Sequence, residues 1–156
     1  MQDVHELIQA LKASSALRRK KAAQELGRSG QRQALKPLLE ALKDPDASVR
    51  DNAAFALGEL GFAEAAPHLL ELLQDPDEWV RKSAAKALGM LRAAEAVEAL
   101  IGALRQDASY IVRKSAARSL GQIGGPRAEA ALREALQDES LIVQEHAREA
   151  LKALKA

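Results

Sequence analysis

The sequence predicts an all-α protein, a right-handed α-solenoid of five helix-pair repeats with about ten helices. A ten-residue segment, Val-Arg-x-x-Ala-Ala-x-Ala/Ser-Leu-Gly, begins at Val49, Val80 and Val112, at steps of 31 and 32 residues. A repeat of this length is typical of stacked helical hairpins. Hydrophobic residues make up 47% of the chain but aromatic residues only 3%, and a core of Leu, Ala and Val suits closely packed helices.

The first helix of each unit, helix A, is predicted from apolar residues spaced three and four positions apart. Residues at these spacings share one face of a helix. The corresponding positions are Leu7, Ile8 and Leu11; Leu38, Leu39 and Leu42; Leu69, Leu70 and Leu73; Leu100, Ile101 and Leu104; and Leu132, Arg133 and Leu136. The repeated Val-to-Gly segment then forms the second helix of each unit, helix B.

The segments between these helices predict where each helix begins and ends. Caps and breaks are expected at Asp3, Ser14-Ser15, Asp44-Pro45-Asp46 and Asp75-Pro76-Asp77. Gly30, Gly61 and Gly124 are expected to end B helices, because glycine adopts the left-handed conformation without a Cβ penalty. One extra residue within 106–110 accounts for the 32-residue step.

The predicted units are 1–31, 32–62, 63–93, 94–125 and 126–156, which form a single repeat domain over residues 1–156. In the last unit Gln144 replaces the repeated Arg, and Lys152 replaces the repeated Gly. We interpret this more polar unit as a capping repeat, whose outer face meets water.

Four positions on each B helix, at i, i+4, i+7 and i+11, form a face distinct from the Val-Ala-Leu core face. Stacked B helices would align these faces on one concave surface. Exposed aromatic, Met and Arg side chains are enriched at interface centres, although rings here could instead fill gaps between repeats. We predict that the partner-binding residues are Asn52, Phe55, Glu59, Trp79, Ser83, Lys86, Met90, Tyr110, Ile111, Ser115, Arg118 and Gln122.

The repeated arginines, Arg50, Arg81 and Arg113, have two interpretations. They could form an anion-binding ladder, or they could pair across neighbouring repeats with the inter-helix aspartates. We favour the second, because these residues recur with the framework and Arg suits multi-bond pairing. The aspartates concerned are Asp44, Asp75 and Asp107.

A second basic group could form an edge that binds an acidic protein or nucleic acid. Its members are Arg18-Arg19-Lys20-Lys21, Arg28, Lys82, Lys86, Lys114 and Arg118. The net charge of the whole chain is only +1, which favours an ordinary solvated face.

Several classes of chemistry are not supported by the sequence. The chain has no cysteine, which excludes disulfides, thiolate metal sites and cysteine nucleophiles. Its three histidines, His5, His68 and His146, lie in separate units without metal-ligand spacing. We therefore expect no catalytic residues, no metal and no cofactor. The absence of a long apolar run or a signal peptide predicts a cytoplasmic protein that does not contact membranes.

The Val-Arg-x-x-Ala-Ala-x-Ala-Leu-Gly segments, the preceding Asp-Pro-Asp motifs and the Leu-rich first helices resemble HEAT repeats. The short PBS-lyase-type HEAT-like repeats of bacteria and archaea are the most similar. This resemblance covers essentially the full chain, and it implies a binding scaffold. Some members of the family help attach or detach bilin chromophores on phycobiliproteins. His5-Glu6 resembles a His-Glu pair of the di-iron HEAT-repeat hydroxylases, but those pairs recur on several repeats and only one occurs here.

We therefore predict a non-enzymatic scaffold that binds another protein on the concave B-helix surface. Trp79, Phe55, Met90 and Tyr110 would be its anchors. Three alternatives stay open: a bilin lyase or chromophore-handling subunit, a nucleic-acid-binding protein that uses the basic edge, and an engineered HEAT-like binder. The chain is expected to be a monomer or a weak homodimer.

Overall fold

A computed structural model describes residues 2–156, and within that range the chain forms ten α-helices and no strand. The A helices are α1 (Val4–Ala10), α3 (Leu35–Ala41), α5 (Ala66–Leu72), α7 (Val97–Gln106) and α9 (Pro126–Ala135). The B helices are α2 (Ala16–Ser29), α4 (Ala47–Leu60), α6 (Glu78–Met90), α8 (Tyr110–Ile123) and α10 (Leu141–Lys155). One-turn 3₁₀ segments at Arg32–Ala34, Ala63–Ala65 and Ala94–Ala96 precede α3, α5 and α7.

The B helices begin at side-chain caps, as the loop motifs predict. The Asp46 carboxylate accepts the Ser48 amide at 2.8 Å, and the Asp77 carboxylate accepts the Trp79 amide at the same distance. These bonds satisfy amide groups that have no partner within the helix. The extra residue of the fourth unit lengthens the last turn of α7, which ends at Gln106.

One B helix, α8, ends differently from the prediction, and α6 ends without a glycine. Gly30 and Gly61 adopt the left-handed helical conformation after α2 and α4, as expected. Gly124 has a φ of 79° but a ψ of −169°, because the chain extends there towards Pro126 and α9. After α6 the left-handed position is held by Arg92, with a φ of 51°.

The A and B helices form two layers around one continuous apolar core. Leu38 and Leu69 of the A layer and Val80, Ala84 and Leu88 of the B layer are fully buried. The spacings of three and four therefore place the repeated apolar residues in the interior, as predicted.

The repeated glycines at the twelfth position of α2, α4, α6 and α8 allow the B helices to approach closely. A Cβ on Gly58 would lie 2.9 Å from the Cα of Ala87 in the next B helix, and a Cβ on Gly27 would lie 2.7 Å from that of Ala56. Backbone cannot move aside as a flexible side chain can. Glycine is therefore required at these positions by the neighbouring helix.

The B helices form the more closely packed layer of the stack. Consecutive B helices contact one another much more extensively than consecutive A helices do. Closer spacing on one layer bends a helical stack towards that layer. The B layer is therefore the concave layer.

A repeated arginine–aspartate contact, which we call the clamp, links each unit to the next. Arg81 donates from Nε and Nη2 to the Asp107 carboxylate at 2.8 and 3.1 Å. Its Nη1 donates to the backbone oxygens of Asp75 and Pro76 in its own unit, at 2.9 and 3.2 Å. The predicted cross-repeat pairing is thus confirmed for Arg81. The hydrogen bond to Asp107 is also the main reason that the pKa of Arg81 is raised.

Equivalent clamps join the other units. The four pairs are Arg19–Asp44, Arg50–Asp75, Arg81–Asp107 and Arg113–Asp138. Arg19 therefore does not contribute to a basic edge, because its guanidinium is paired with Asp44. In the last unit Gln144 donates only to the Asp138 carbonyl, at 2.6 Å, which reproduces the backbone half of the clamp.

Candidate partner-binding surface

The inner surface is formed by the second, sixth, ninth and thirteenth residues of the five B helices, which we call the B face. These positions are separated by four, three and four residues, so they share one side of each helix. The B face contains eleven of the twelve predicted partner-binding residues, and Tyr110 precedes it by one position. Apart from Ser83 and Ser115, these residues are exposed or partly exposed.

Large apolar side chains form one edge of the B face, which we call the apolar rim. Within residues 2–156, the exposed large apolar residues are Leu17, Trp79, Tyr110, Leu141 and Ile142. All of them occupy the first or second position of a B helix. Trp79 is 48% exposed and Tyr110 is 44% exposed, so neither ring serves as core packing. The B helices lie side by side, so residues at their first and second positions line a single edge of the stack.

A lysine ammonium group lies over each of two aromatic rings on the B face. Lys82 Nζ lies 5.5 Å from the centre of the Trp79 ring, and Lys86 Nζ lies 5.0 Å from that of Phe55. Both distances suit cation–π attraction. The contacts also link the apolar rim to the basic residues beside it.

Two predicted partner-binding residues are instead part of the interior. Ser83 is 2% exposed and its hydroxyl donates to the Asp51 carboxylate of α4, while Ser115 is 9% exposed. The prediction that Ser83 faces outward is wrong, because its small side chain packs against Asp51 of the preceding B helix, and Ser115 is nearly buried at the same position of α8. Helical periodicity cannot reveal this, since it describes one helix without its neighbours.

A pocket of about 350 Å³ opens on the B face between α6 and α8. Its lining residues are Phe55, Lys82, Lys86, Met90, Lys114, Ser115, Arg118, Ser119, Gln122 and His146. The pocket thus contains six predicted residues, of which Ser115 is nearly buried; they are Phe55, Lys86, Met90, Ser115, Arg118 and Gln122. Lys82, Lys114, Ser119 and His146 were absent from that prediction, but Lys82 and Lys114 belong, with Lys86 and Arg118, to the basic edge that the sequence suggested.

The electrostatics of this pocket are dominated by positive charge. Burial lowers the pKa of Lys86, and the neighbouring Lys82, Arg118 and Lys114 lower it further. Like charges that are held close together repel, and removal from water disfavours the charged form. The pocket therefore holds cations that an anion would stabilise.

No group of three or more His, Asp or Glu side chains in the described range is arranged to hold a metal ion. Across residues 2–156, no helix combines the length and apolar character that a membrane span requires.

Known proteins with similar structures are helical repeat proteins. A structure of the CpcE–CpcF complex of phycocyanin lyase from Nostoc sp. PCC7120 is 29% identical, with a TM-score of 0.86. The alignment covers 99% of this chain but 65% of that chain, so this chain spans just under two thirds of its length.

Two further structures share the fold. A designed armadillo repeat protein in complex with the peptide (KR)4 is 24% identical, with a TM-score of 0.73 and coverage of 97% of this chain and 81% of that chain. Human deoxyhypusine hydroxylase is 20% identical, with a TM-score of 0.56 and coverage of 97% and 84%.

No curated protein sequence shows significant similarity to the chain. The family model for HEAT repeats matches residues 4–87 and 66–152, which together include nearly every helix. The repeated Val-Ala-Leu core, the capped B helices and the two-layer stack agree with that match. The chain therefore belongs to the HEAT-repeat family.

Proposed function

We propose that the chain is a non-enzymatic scaffold that binds a partner protein on the B face. The exposure of Trp79, at 48%, is the observation that carries this proposal. A tryptophan that packs no core leaves a large apolar area in water, and such residues are the commonest energetic centres of interfaces. The rigid helical stack supports the same conclusion, because a preorganised surface loses little entropy on binding.

The anchors of this surface are expected to be Trp79 and Tyr110 at the rim and Phe55 and Met90 beside the pocket. The proposed contact area also includes Asn52, Glu59, Lys86, Ile111, Arg118 and Gln122. Asn52 already accepts a hydrogen bond from Gln24 at 2.8 Å, which holds its side chain in one orientation.

A capture experiment from native lysate tests the proposal. Trp79→Ala should weaken retention of the partner by about 2 kcal/mol, roughly a thirtyfold loss of affinity, with little change in the free energy of unfolding. His68→Ala is the control, since it removes an exposed ring from α5 on the outer layer. Wild-type retention by Trp79→Ala, and by a Trp79→Ala/Phe55→Ala double variant, would contradict the proposal.

A second candidate function is a role in bilin handling, as a subunit of a phycocyanin lyase. The 29% identity over 99% of this chain to the phycocyanin lyase complex favours it. The lack of cysteine is compatible with this role, because the acceptor thiol belongs to the phycobiliprotein. Purification with a visible bilin absorption band would support it. Absence of that band after expression in bilin-producing cells would count against it.

A further inference from the structure

The pocket between α6 and α8 gathers four cations that lack acidic partners. Lys82 and Lys86 project from α6, and Lys114 and Arg118 project from α8. Within residues 2–156, none of the four forms an ion pair with a carboxylate. The clamp arginines, by contrast, are each paired with an aspartate. The pocket is therefore a local concentration of positive charge on a chain with a net charge of only +1.

Apolar side chains lie among these cations. Phe55 and Met90 line the same pocket. The exposed Trp79 ring lies beside it through its contact with Lys82. Side chains of a ligand that enters here would meet both ammonium groups and aromatic carbon. A ligand that complements both features carries carboxylates interspersed with apolar groups.

Acidic residues of this chain lie on both sides of the basic pocket. Asp51 and Glu59 are on α4, and Glu145 and Glu149 are on α10. Glu149 shares an adjoining pocket with Arg118. The positive region is thus about two helices wide. A nucleic acid strand would extend past it and place phosphates against these carboxylates, whereas a short peptide segment would not.

We propose that the partner segment bound on the B face is an acidic peptide, whose carboxylates enter the α6–α8 pocket while its apolar side chains pack on the rim. This inference rests on the proposed function, because it specifies the chemistry of the segment that the B face binds. The charges are complementary, and displacement of water from partly buried cations strengthens such pairing.

The test uses fluorescein-labelled ten-residue peptides in which glutamate alternates with leucine, and fluorescence anisotropy with the full chain. A matched peptide has every glutamate replaced by glutamine. We expect the acidic peptide to bind at least tenfold more tightly than the neutral one. The protein variant Lys86→Gln/Arg118→Gln should lose at least tenfold in affinity for the acidic peptide.

The control variant is Lys36→Gln/Lys43→Gln, which removes the same charge from exposed positions on the outer layer. It should bind like the wild type. Three results would overturn the inference: equal affinity for the two peptides, equal losses of affinity in the two protein variants, or no saturable binding of the acidic peptide. Tighter binding of a single-stranded oligonucleotide than of the acidic peptide would also overturn it, in favour of nucleic acid.

The capture experiment separates this inference from the function on which it rests. If Trp79→Ala loses the partner while Lys86→Gln/Arg118→Gln retains it, the scaffold function stands and the acidic-peptide inference fails. If neither variant loses the partner, both proposals fail.

Discussion

The clamp depends on the shape of the arginine side chain. One guanidinium of Arg81 reaches the Asp107 carboxylate through two nitrogens and two loop carbonyls through the third. A lysine ammonium has no planar fork and cannot make these four contacts together. Asp107 is only 8% exposed, so its charge relies on this partner.

Arg81→Ala should lower the free energy of unfolding by about 2–3 kcal/mol. Loss of one partner from a fully buried ion pair costs about 3–5 kcal/mol of stability. The Arg81–Asp107 pair is slightly exposed to water, which reduces that cost. Urea unfolding followed by circular dichroism measures the change.

The control for this prediction is Arg105→Ala, whose pair with Glu134 is about half exposed on both sides. That variant should lose less than about 1 kcal/mol, because exposed ion pairs contribute little. Similar losses in the two variants would show that the clamp is merely a surface contact.

Arg92 shows which residue-scale features the sequence did not reveal. Three B helices, α2, α4 and α8, end at a glycine with positive φ, whereas after α6 the positive φ belongs to Arg92. Its left-handed backbone carries a steric penalty, and its guanidinium donates to the Gln122 carbonyl at 3.0 Å. The missing glycine was visible in the sequence, but the compensating hydrogen bond crosses between units and was not.

At the scale of the elements, the B helices are held together by contacts between small residues. The paired alanines Ala84 and Ala85 are fully buried. Neighbouring B helices also come close at the glycine that follows the repeated leucine. A glycine inside a helix normally weakens it, so its recurrence at this position reflects the packing of the neighbouring helix.

Gly58→Ala should therefore destabilise the protein by about 1–3 kcal/mol, because its Cβ would overlap the backbone of α6. Gly102→Ala is the matched control. Gly102 is exposed in α7, and a Cβ there would meet no atom within 4 Å in the described part of the chain.

The control substitution should stabilise the protein by about 0.5–1 kcal/mol through helix propensity. Thermal unfolding of both variants gives opposite shifts of the melting temperature if this packing argument holds. Shifts of the same sign would refute it.

At the scale of the whole molecule, several carboxylates have pKa values below their ordinary range. A hydrogen bond from Arg32 lowers the pKa of Glu64. In the same way, Arg127 lowers the pKa of Glu98, and Arg105 lowers the pKa of Glu134. A carboxylate with a lower pKa in the folded state stabilises that state above its unfolded pKa, and this stabilisation disappears as the pH falls through the folded pKa.

The free energy of unfolding should thus decrease as the pH is lowered below about 4.5, the ordinary pKa of glutamate. Urea unfolding between pH 7 and pH 3 measures this dependence. The triple variant Glu64→Gln/Glu98→Gln/Glu134→Gln should show a shallower dependence. Added salt should also reduce the slope, since these pairs are exposed and screened. If the free energy of unfolding depends on pH equally in the wild type and the triple variant, these three glutamates are not the source of the dependence.

The sequence predicted the repeats, the ten helices and most of the B face because these follow from periodicity within one chain segment. It did not predict that Ser83 and Ser115 are covered or that Arg19 belongs to a clamp. Both depend on distances between units, which periodicity does not contain. The unit boundaries, the handedness of the stack and a cytoplasmic location stay predictions.

The clamps also bear on how such a gene could change in length. Each clamp joins equivalent residues of successive units, 25 residues apart in three cases and 26 across the lengthened α7. Unequal recombination that duplicates or deletes one whole unit would therefore leave an arginine facing an aspartate at every new junction. A duplication that is not a whole number of units would leave one charge unpaired at the new junction. Selection for stability would thus permit this lineage to lengthen or shorten its inner surface only in steps of one repeat.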